Sequence, residues 1–185
     1  MYSVDQPTKL RHQKAQSKRN NLLHANEMLS EASINSEFTQ RLLDNHASPV
    51  TLAHLFIALH QVRLFSRANQ ESAAEHENPQ NFGILLDTLQ NARLIYSRSR
   101  LSTWMPSVFS RNKVQANFEA IARHKNSKNL AQVLDSLNKA KLLSGENGQA
   151  NFEMIIEHQN LEVLDRVLSD YDMSGDNQQI YFESI

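Results

Sequence analysis

The feature that most constrains this chain is an internal repeat. Gln115-Ala116-Asn117-Phe118-Glu119 recurs as Gln149-Ala150-Asn151-Phe152-Glu153. The same register places Ile121 on Ile155, His124 on His158, Asn126 on Asn160 and Leu130 on Leu164. An earlier copy aligns in a longer register, with Asn69, Glu71, His76, Asn78, Leu86 and Leu89 on Asn117, Glu119, His124, Asn126, Leu134 and Leu137. A weaker first copy carries His46, Leu52, Leu59, Leu64 and Ser66. Further upstream, Leu23, Leu29-Ser30 and Phe38 read as a half-repeat in register with Leu137, Leu143-Ser144 and Phe152. About four copies of a helix-pair repeat, roughly 34 residues each, therefore organise the chain, with an insertion after the second. Repeats of this length are single supersecondary pieces that bury one face by stacking on a neighbour.

Each copy reads as two helices. Phe152, Ile155 and Ile156 fall at i, i+3, i+4 of a short first helix, and Leu130, Val133, Leu134, Leu137 and Ala140 form one stripe of a longer second helix. Between them stands His-x-Asn or His-x-Ser. Ser48, Asn78, Asn126 and Asn160 occupy the N-cap position of the second helix, and Pro49 and Pro79 follow at the favoured first helical position. The second helix closes on Leu142-Leu143-Ser144, or Leu64-Phe65-Ser66, where the Ser can cap the next copy. The expected fold class is all-α: a short array of stacked helix-turn-helix repeats, either α-solenoid-like or a compact helical bundle. Only 4 Gly and 4 Pro interrupt 185 residues, which permits helices nearly throughout.

Composition narrows the function classes. There is no Cys, which excludes disulfides, thiolate metal sites and cysteine nucleophiles. No apolar run is long enough to span a bilayer, and residues 1–21 are polar and basic without the apolar core of a Sec signal. Three regions are expected: a basic flexible leader at 1–20, a repeat domain at 21–168 with its insertion at 97–114, and an acidic flexible tail at 169–185. The charge is asymmetric. Lys9, Arg11, Lys14, Lys18 and Arg19 face only Asp5 in the leader, whereas nine carboxylates face only Arg166 over residues 144–185.

The aligned histidines His46, His76, His124 and His158 invite a metal or catalytic reading. Their fixed slot at the end of each first helix argues for a structural one, because equivalent positions in stacked copies lie a repeat apart and a zinc ion needs its ligands at about 2 Å from one point. A histidine there is favoured by the helix dipole and can bond the last carbonyls. His54 and His60 are six apart and off one face, so no metal and no cofactor is expected. No phosphate-binding Gly-rich loop and no nucleophile elbow occurs; Gly145 and Gly148 flank a linker. Catalytic residues are not expected.

The insertion is the most suggestive segment. Over residues 97–114 it carries Arg98, Arg100, Arg111 and Lys113 without an acid, and the only Trp. Arg98, Arg100, Leu101, Trp104, Met105 and Phe109 are the candidate partner-binding residues, since Arg and aromatic side chains dominate interface hot spots. The competing reading packs Trp104 and Leu101 back onto the array.

Asn117-Phe118-Glu119, Leu137-Asn138-Lys139-Ala140-Lys141-Leu142-Leu143-Ser144 and Asn151-Phe152-Glu153 resemble the helical repeats of Legionella-type effectors, proteins injected into host cells by a type IV secretion system. The likeness covers residues 115–168 well and 37–96 loosely. It departs at Lys141, where those repeats often carry Gly, and at Ser144, where they often carry Thr. The acidic C-terminus with Phe182 four places from its end agrees with that resemblance. It implies a virulence-associated scaffold that leaves the bacterium without a Sec signal and reaches the host cytoplasm, and no particular activity. The expected function is a non-enzymatic protein–protein interaction module acting on a host or bacterial protein. The alternatives are a small enzyme with an unrecognised site in the array, or a module that binds anionic lipid or nucleic acid through the basic segments.

Overall fold

The computed structural model describes residues 6–95, 111–144, 147–158 and 160–170. Among them every regular element is an α-helix: α1 (Gln6–Glu31), α2 (Glu37–Asn45), α3 (Pro49–Gln61), α4 (Arg67–Glu75), α5 (Pro79–Asn91), α6 (Arg111–Arg123), α7 (Ser127–Lys139), α8 (Gly148–Glu157) and α9 (Leu161–Asp170). The first helices are α2, α4, α6 and α8 and the second helices α1, α3, α5, α7 and α9; the expected short first helix holds for α2 and α4, of 9 residues each, whereas α6 is as long as α7 at 13 and α8 as long as α9 at 10.

Apolar spacing dictates the packing. In one compact unit, built of α1–α4, α1 packs along α3 and the two short helices lie beside them. Ala25 and Leu29 meet the α3 core of Leu52, Leu55, Phe56 and Leu59, all buried. In a second unit, which holds α5–α9, α5 packs along α7 and α7 along α9. Phe118 on α6, Phe152 on α8 and the whole α7 stripe of Leu130, Val133, Leu134 and Leu137 are buried there. Each such Leu or Phe contributes about 1.5–3 kcal/mol on leaving water, the largest favourable term available to a chain without disulfides.

The ends of the second helices share one geometry. Ser33, Arg63, Arg93 and Lys141 follow α1, α3, α5 and α7 with left-handed φ of 59°, 60°, 64° and 62°. Around Ser33 the N–H of Ile34 reaches the Leu29 carbonyl at 2.8 Å and that of Ser33 the Ser30 carbonyl at 3.0 Å. The same pair recurs as Leu94 to Leu89 with Arg93 to Gln90, and as Leu142 to Leu137 with Lys141 to Asn138. This is the Schellman termination, which satisfies carbonyls that a helix end leaves open and normally prefers Gly.

These left-handed positions reset the repeat. Ser33 to Arg63 and Arg63 to Arg93 are equal intervals, each shorter than the interval from Gln115 to Gln149, and Arg93 to Lys141 is longer than both. The basic repeat is therefore the Ser33-to-Arg63 interval, and additions enter between the C-terminal turn and the next first helix. The N-terminal half-repeat is corrected by the same positions. Its register with the third copy is set by Ser33 on Lys141, which puts Ser36, not Ser30, in the place of Ser144. The Ser36 hydroxyl accordingly accepts the Thr39 N–H at 3.0 Å and caps α2. Ser66 does the same for α4 through the Asn69 N–H at 3.2 Å. Ser144 does not cap: its hydroxyl donates to the Lys141 carbonyl at 2.8 Å, and α8 starts only at Gly148, without a side-chain cap. Gly148 is the first residue of α8 rather than linker, and a Cβ there would lie 2.2 Å from the Leu143 carbonyl oxygen. The segment expected as a leader at 1–20 is, from Gln6 onward, part of the 26-residue α1.

Candidate functional site

The turn between the two helices of each copy concentrates the polar groups. The sequence motif there is His-x-Asn/Ser, and all four histidines are half-buried. In each turn the ring accepts a backbone hydrogen bond: Ser48 N–H to His46 Nδ1 at 3.0 Å, Asn78 to His76 at 3.1 Å, Asn126 to His124 at 3.2 Å and Asn160 to His158 at 3.1 Å. The cap residue then turns its side chain to the next helix. Asn78 Oδ1 accepts from Asn81 N–H at 3.0 Å, Asn126 from Asn129 at 3.3 Å and Asn160 from Val163 at 3.2 Å. The backbone carbonyls of Ser48, Asn78, Asn126 and Asn160 accept the first intrahelical bonds, from the N–H groups of Leu52, Phe82, Leu130 and Leu164 at 3.1, 3.0, 3.0 and 3.3 Å.

The expected role of the histidine is thus reversed in one respect. The ring does not donate to the last carbonyls; the backbone N–H groups of His46, His124 and His158 do, reaching Leu43, Ile121 and Ile155 at 3.1, 3.3 and 3.2 Å. An Nδ1 that accepts must be unprotonated, so the neutral ring carries its proton on Nε2. Burial pulls His76 and His124 below the usual histidine range against the smaller opposing effect of those backbone bonds. His76 also stacks on Phe82 at 4.6 Å between centroids, and Phe82 meets Phe118 edge-on at 5.7 Å. Each histidine is a staple across a tight turn. Among the described residues no group of three or more His, Asp or Glu side chains is placed to hold a metal ion, and no helix is long and apolar enough to cross a membrane.

A second polar feature escaped the sequence reading. Asn117 on α6 and Gln149 on α8 are buried and exchange reciprocal amide bonds, both of 2.9 Å. Asn117 Nδ2 also donates to the Leu94 carbonyl at 2.9 Å, and Gln149 Nε2 to Glu153 Oε1 at 2.7 Å. All four amide hydrogens are used, as a buried network requires. In the other unit Thr39 Oγ1 donates to Gln70 Oε1 at 2.8 Å, so there too a buried polar pair ties neighbouring first helices. The signal was present as identities, Asn117 with Asn151 and Gln115 with Gln149, but an amide on a helix reads as surface until its neighbour is known.

The insertion residues Arg98, Arg100, Leu101, Trp104, Met105 and Phe109 lie outside the described residues. Surface chemistry elsewhere varies by copy. At one outward position of the second helices stand His54, Ile84, Gln132 and Arg166, each exposed, while the residues that follow in α3, α5 and α7 (Leu55, Leu85 and Val133) are core. No protein family, curated protein or solved structure matches the chain.

Proposed function

We propose that the protein is a non-enzymatic interaction module, a secreted bacterial effector that acts on a host protein. One observation carries this reading: the polar machinery is spent on the scaffold while the outward slots vary. His Nδ1 atoms, cap amides and the Asn117–Gln149 pair all serve turns and helix pairing. At the same outward slot, four copies present an imidazole, an aliphatic group, an amide and a guanidinium in His54, Ile84, Gln132 and Arg166. Repeat proteins recognise partners in this way, by a constant core and a changing face. The repeat resemblance adds delivery by a type IV secretion system into the host cytoplasm. The insertion around Trp104, with Arg98, Arg100, Leu101, Met105 and Phe109, supplies a further contact surface rich in hot-spot residue types.

The test is capture of a host protein by the full chain. Ile84→Arg with Arg166→Glu, and separately Trp104→Ala with Arg98→Ala, should each weaken capture without lowering the melting temperature. Unchanged capture by both variants sinks these surfaces. A second reading has its own observation: Arg11, Lys14 and Lys18 are exposed on one face of α1 at i, i+3, i+7. Binding of anionic vesicles or nucleic acid that collapses with rising salt, and is lost in the triple Ala variant, would favour it.

A further inference from the structure

α1 and α9 are the first and last of the second helices, and each exposes a slot that the helices between them cover. Ala53 of α3 and Ala131 of α7 are buried, whereas Leu23 holds the same slot in α1 and is 54% exposed. Asn81 of α5 and Asn129 of α7 are half-buried, whereas Val163 holds their slot in α9 and is 42% exposed. On α8 beside it, Met154 is 41% exposed where Leu42, Ser72 and Ala120 are half-buried. Among the described residues no helix precedes α1 and none follows α9. Stacked repeats cover such faces with a neighbour, and a terminal repeat that meets only water normally carries polar residues there. Leu23, Met154 and Val163 are the opposite.

The two faces also differ in charge. Between residues 10 and 24, α1 exposes Arg11, Lys14, Lys18 and Arg19 and holds no carboxylate. The α8–α9 hairpin exposes Glu153, Glu157 and Glu162 and holds Asp165, against Arg166. A register for joining them exists one helix earlier, where Asn129 Nδ2 of α7 reaches Glu162 of α9 at 3.3 Å. Asn20 holds in α1 the slot of Glu162, so the same step from α9 sets Val163 beside Asn20 and Leu23 of a following α1. α1 and α3, like α7 and α9, are joined through one returning first helix, so second helices run parallel. The stretch of α1 before Asn20 would then pass the α8–α9 turn, where Glu157 and Glu162 lie on either side of His158.

We propose that the occupant of the α8–α9 face is α1 of a second copy of this chain. Leu23 of the second copy covers the face of Val163 and Met154, and its Lys14, Lys18 and Arg19 lie against Glu157 and Glu162. The contact joins two different surfaces, so every added copy leaves one open end of each kind and association proceeds head to tail. This holds whether or not the interaction-module reading does.

Sedimentation velocity on the full chain, up to about 1 mM, covers the affinity of so small a contact. The parent should form dimers and larger species as its concentration rises. Between about 0.05 and 0.5 M salt that association should weaken by about tenfold or more, because the paired charges are exposed. Leu23→Asp closes the α1 end, and Met154→Asp with Val163→Asp closes the other. These positions are exposed, so both variants should keep the parent's circular dichroism. Each alone should remain monomeric, while their mixture should give a dimer of one of each and nothing larger. A monomeric parent, association indifferent to salt, or a mixture of folded variants that stays monomeric overturns the proposal. So does self-association of Leu23→Asp alone, which would mean that two α8–α9 faces pair symmetrically.

Discussion

Residues 19–31 of α1 and the whole of α3 are the same part of the repeat, yet the chain before them behaves differently. Leu22, Ala25, Leu29 and Ser33 match Leu52, Leu55, Leu59 and Arg63 in register, and α1 packs along α3. Before α3 the chain turns at His46-Ala47-Ser48 and Pro49, and α2 supplies the buried Thr39 and Leu43. One repeat earlier those places hold Gln16-Ser17-Lys18, Arg19, Lys9 and Gln13. With no imidazole acceptor, no short cap and no proline, nothing ends the helix. With no apolar first-helix face, nothing rewards folding back. The result is one helix of 26 residues, exposed without interruption from Leu10 to Asn21. A few side chains at the turn therefore decide whether about 25 residues become a hairpin or a rod.

The sharpest way to break the comparison is to give α1 one element of the turn. Arg19→Pro places at position 19 the residue that Pro49 and Pro79 already tolerate at their N1 sites. Inside a continuous helix it costs about 3 kcal/mol locally, and the piece before it is too short to stay helical alone. Far-UV circular dichroism should lose the signal of roughly a dozen helical residues, while the main melting transition stays put because residues 10–18 are exposed. A helical signal equal to the parent's would mean that the spur is held by something other than its own backbone. A smaller effect of opposite sign is expected at Asn26, in register with the buried Phe56, whose Oδ1 is buried without a hydrogen-bond partner. Asn26→Leu removes the stranded acceptor from an apolar stripe and should raise stability by about 1–2 kcal/mol, read by urea unfolding.

How much of this could be read beforehand follows from which forces are local. The caps at Asn78, Asn126 and Asn160 and the α7 stripe were legible because capping and 3.6-residue periodicity are written in adjacent residues. The continuity of α1 was not, because a basic stretch ahead of an apolar one looks like a leader until the missing turn residues are compared with their counterparts. The Asn117–Gln149 pair depends on two helices meeting across a long stretch of chain, which no local pattern encodes. The left-handed turn at Lys141 was hidden by its own side chain.

That position yields the next smaller effect. Lys141 holds φ of 62°, a region that costs a side-chain-bearing residue about 1–2 kcal/mol, part of which Gly returns as unfolded-state entropy. Lys141→Gly should stabilise the second unit by about 0.5–1 kcal/mol. Gln132→Gly, at an exposed position in the interior of α7, should destabilise it by a similar amount. If both variants lose stability, the turn is not held as described.

The smallest effect tests the staples by pH. Burial lowers the folded-state affinity of His76 and His124 for a proton below that of the unfolded chain, whose reference value is 6.5. Below that pH the unfolded state binds more protons, so stability falls as the pH drops through 6.5 and is fully present above it. Protonation at Nδ1 would also remove the acceptor for the Asn78 and Asn126 N–H groups. Both rings are near the surface, so solvent screening limits the change to about 0.5 kcal/mol or less for each. Replacing His76 and His124 together by Asn keeps an acceptor two residues before the same N–H groups and removes the titration. The double variant loses the His76 ring that stacks on Phe82, so it should melt below the parent at about pH 7.5, and that gap should shrink or reverse at about pH 5.5. Parallel melting curves for the two proteins across that range would show that the staples hold their turns in either charge state. The contrast between the α1 rod and the hairpins would then rest on the cap and the proline, with no part played by the charge of the imidazole.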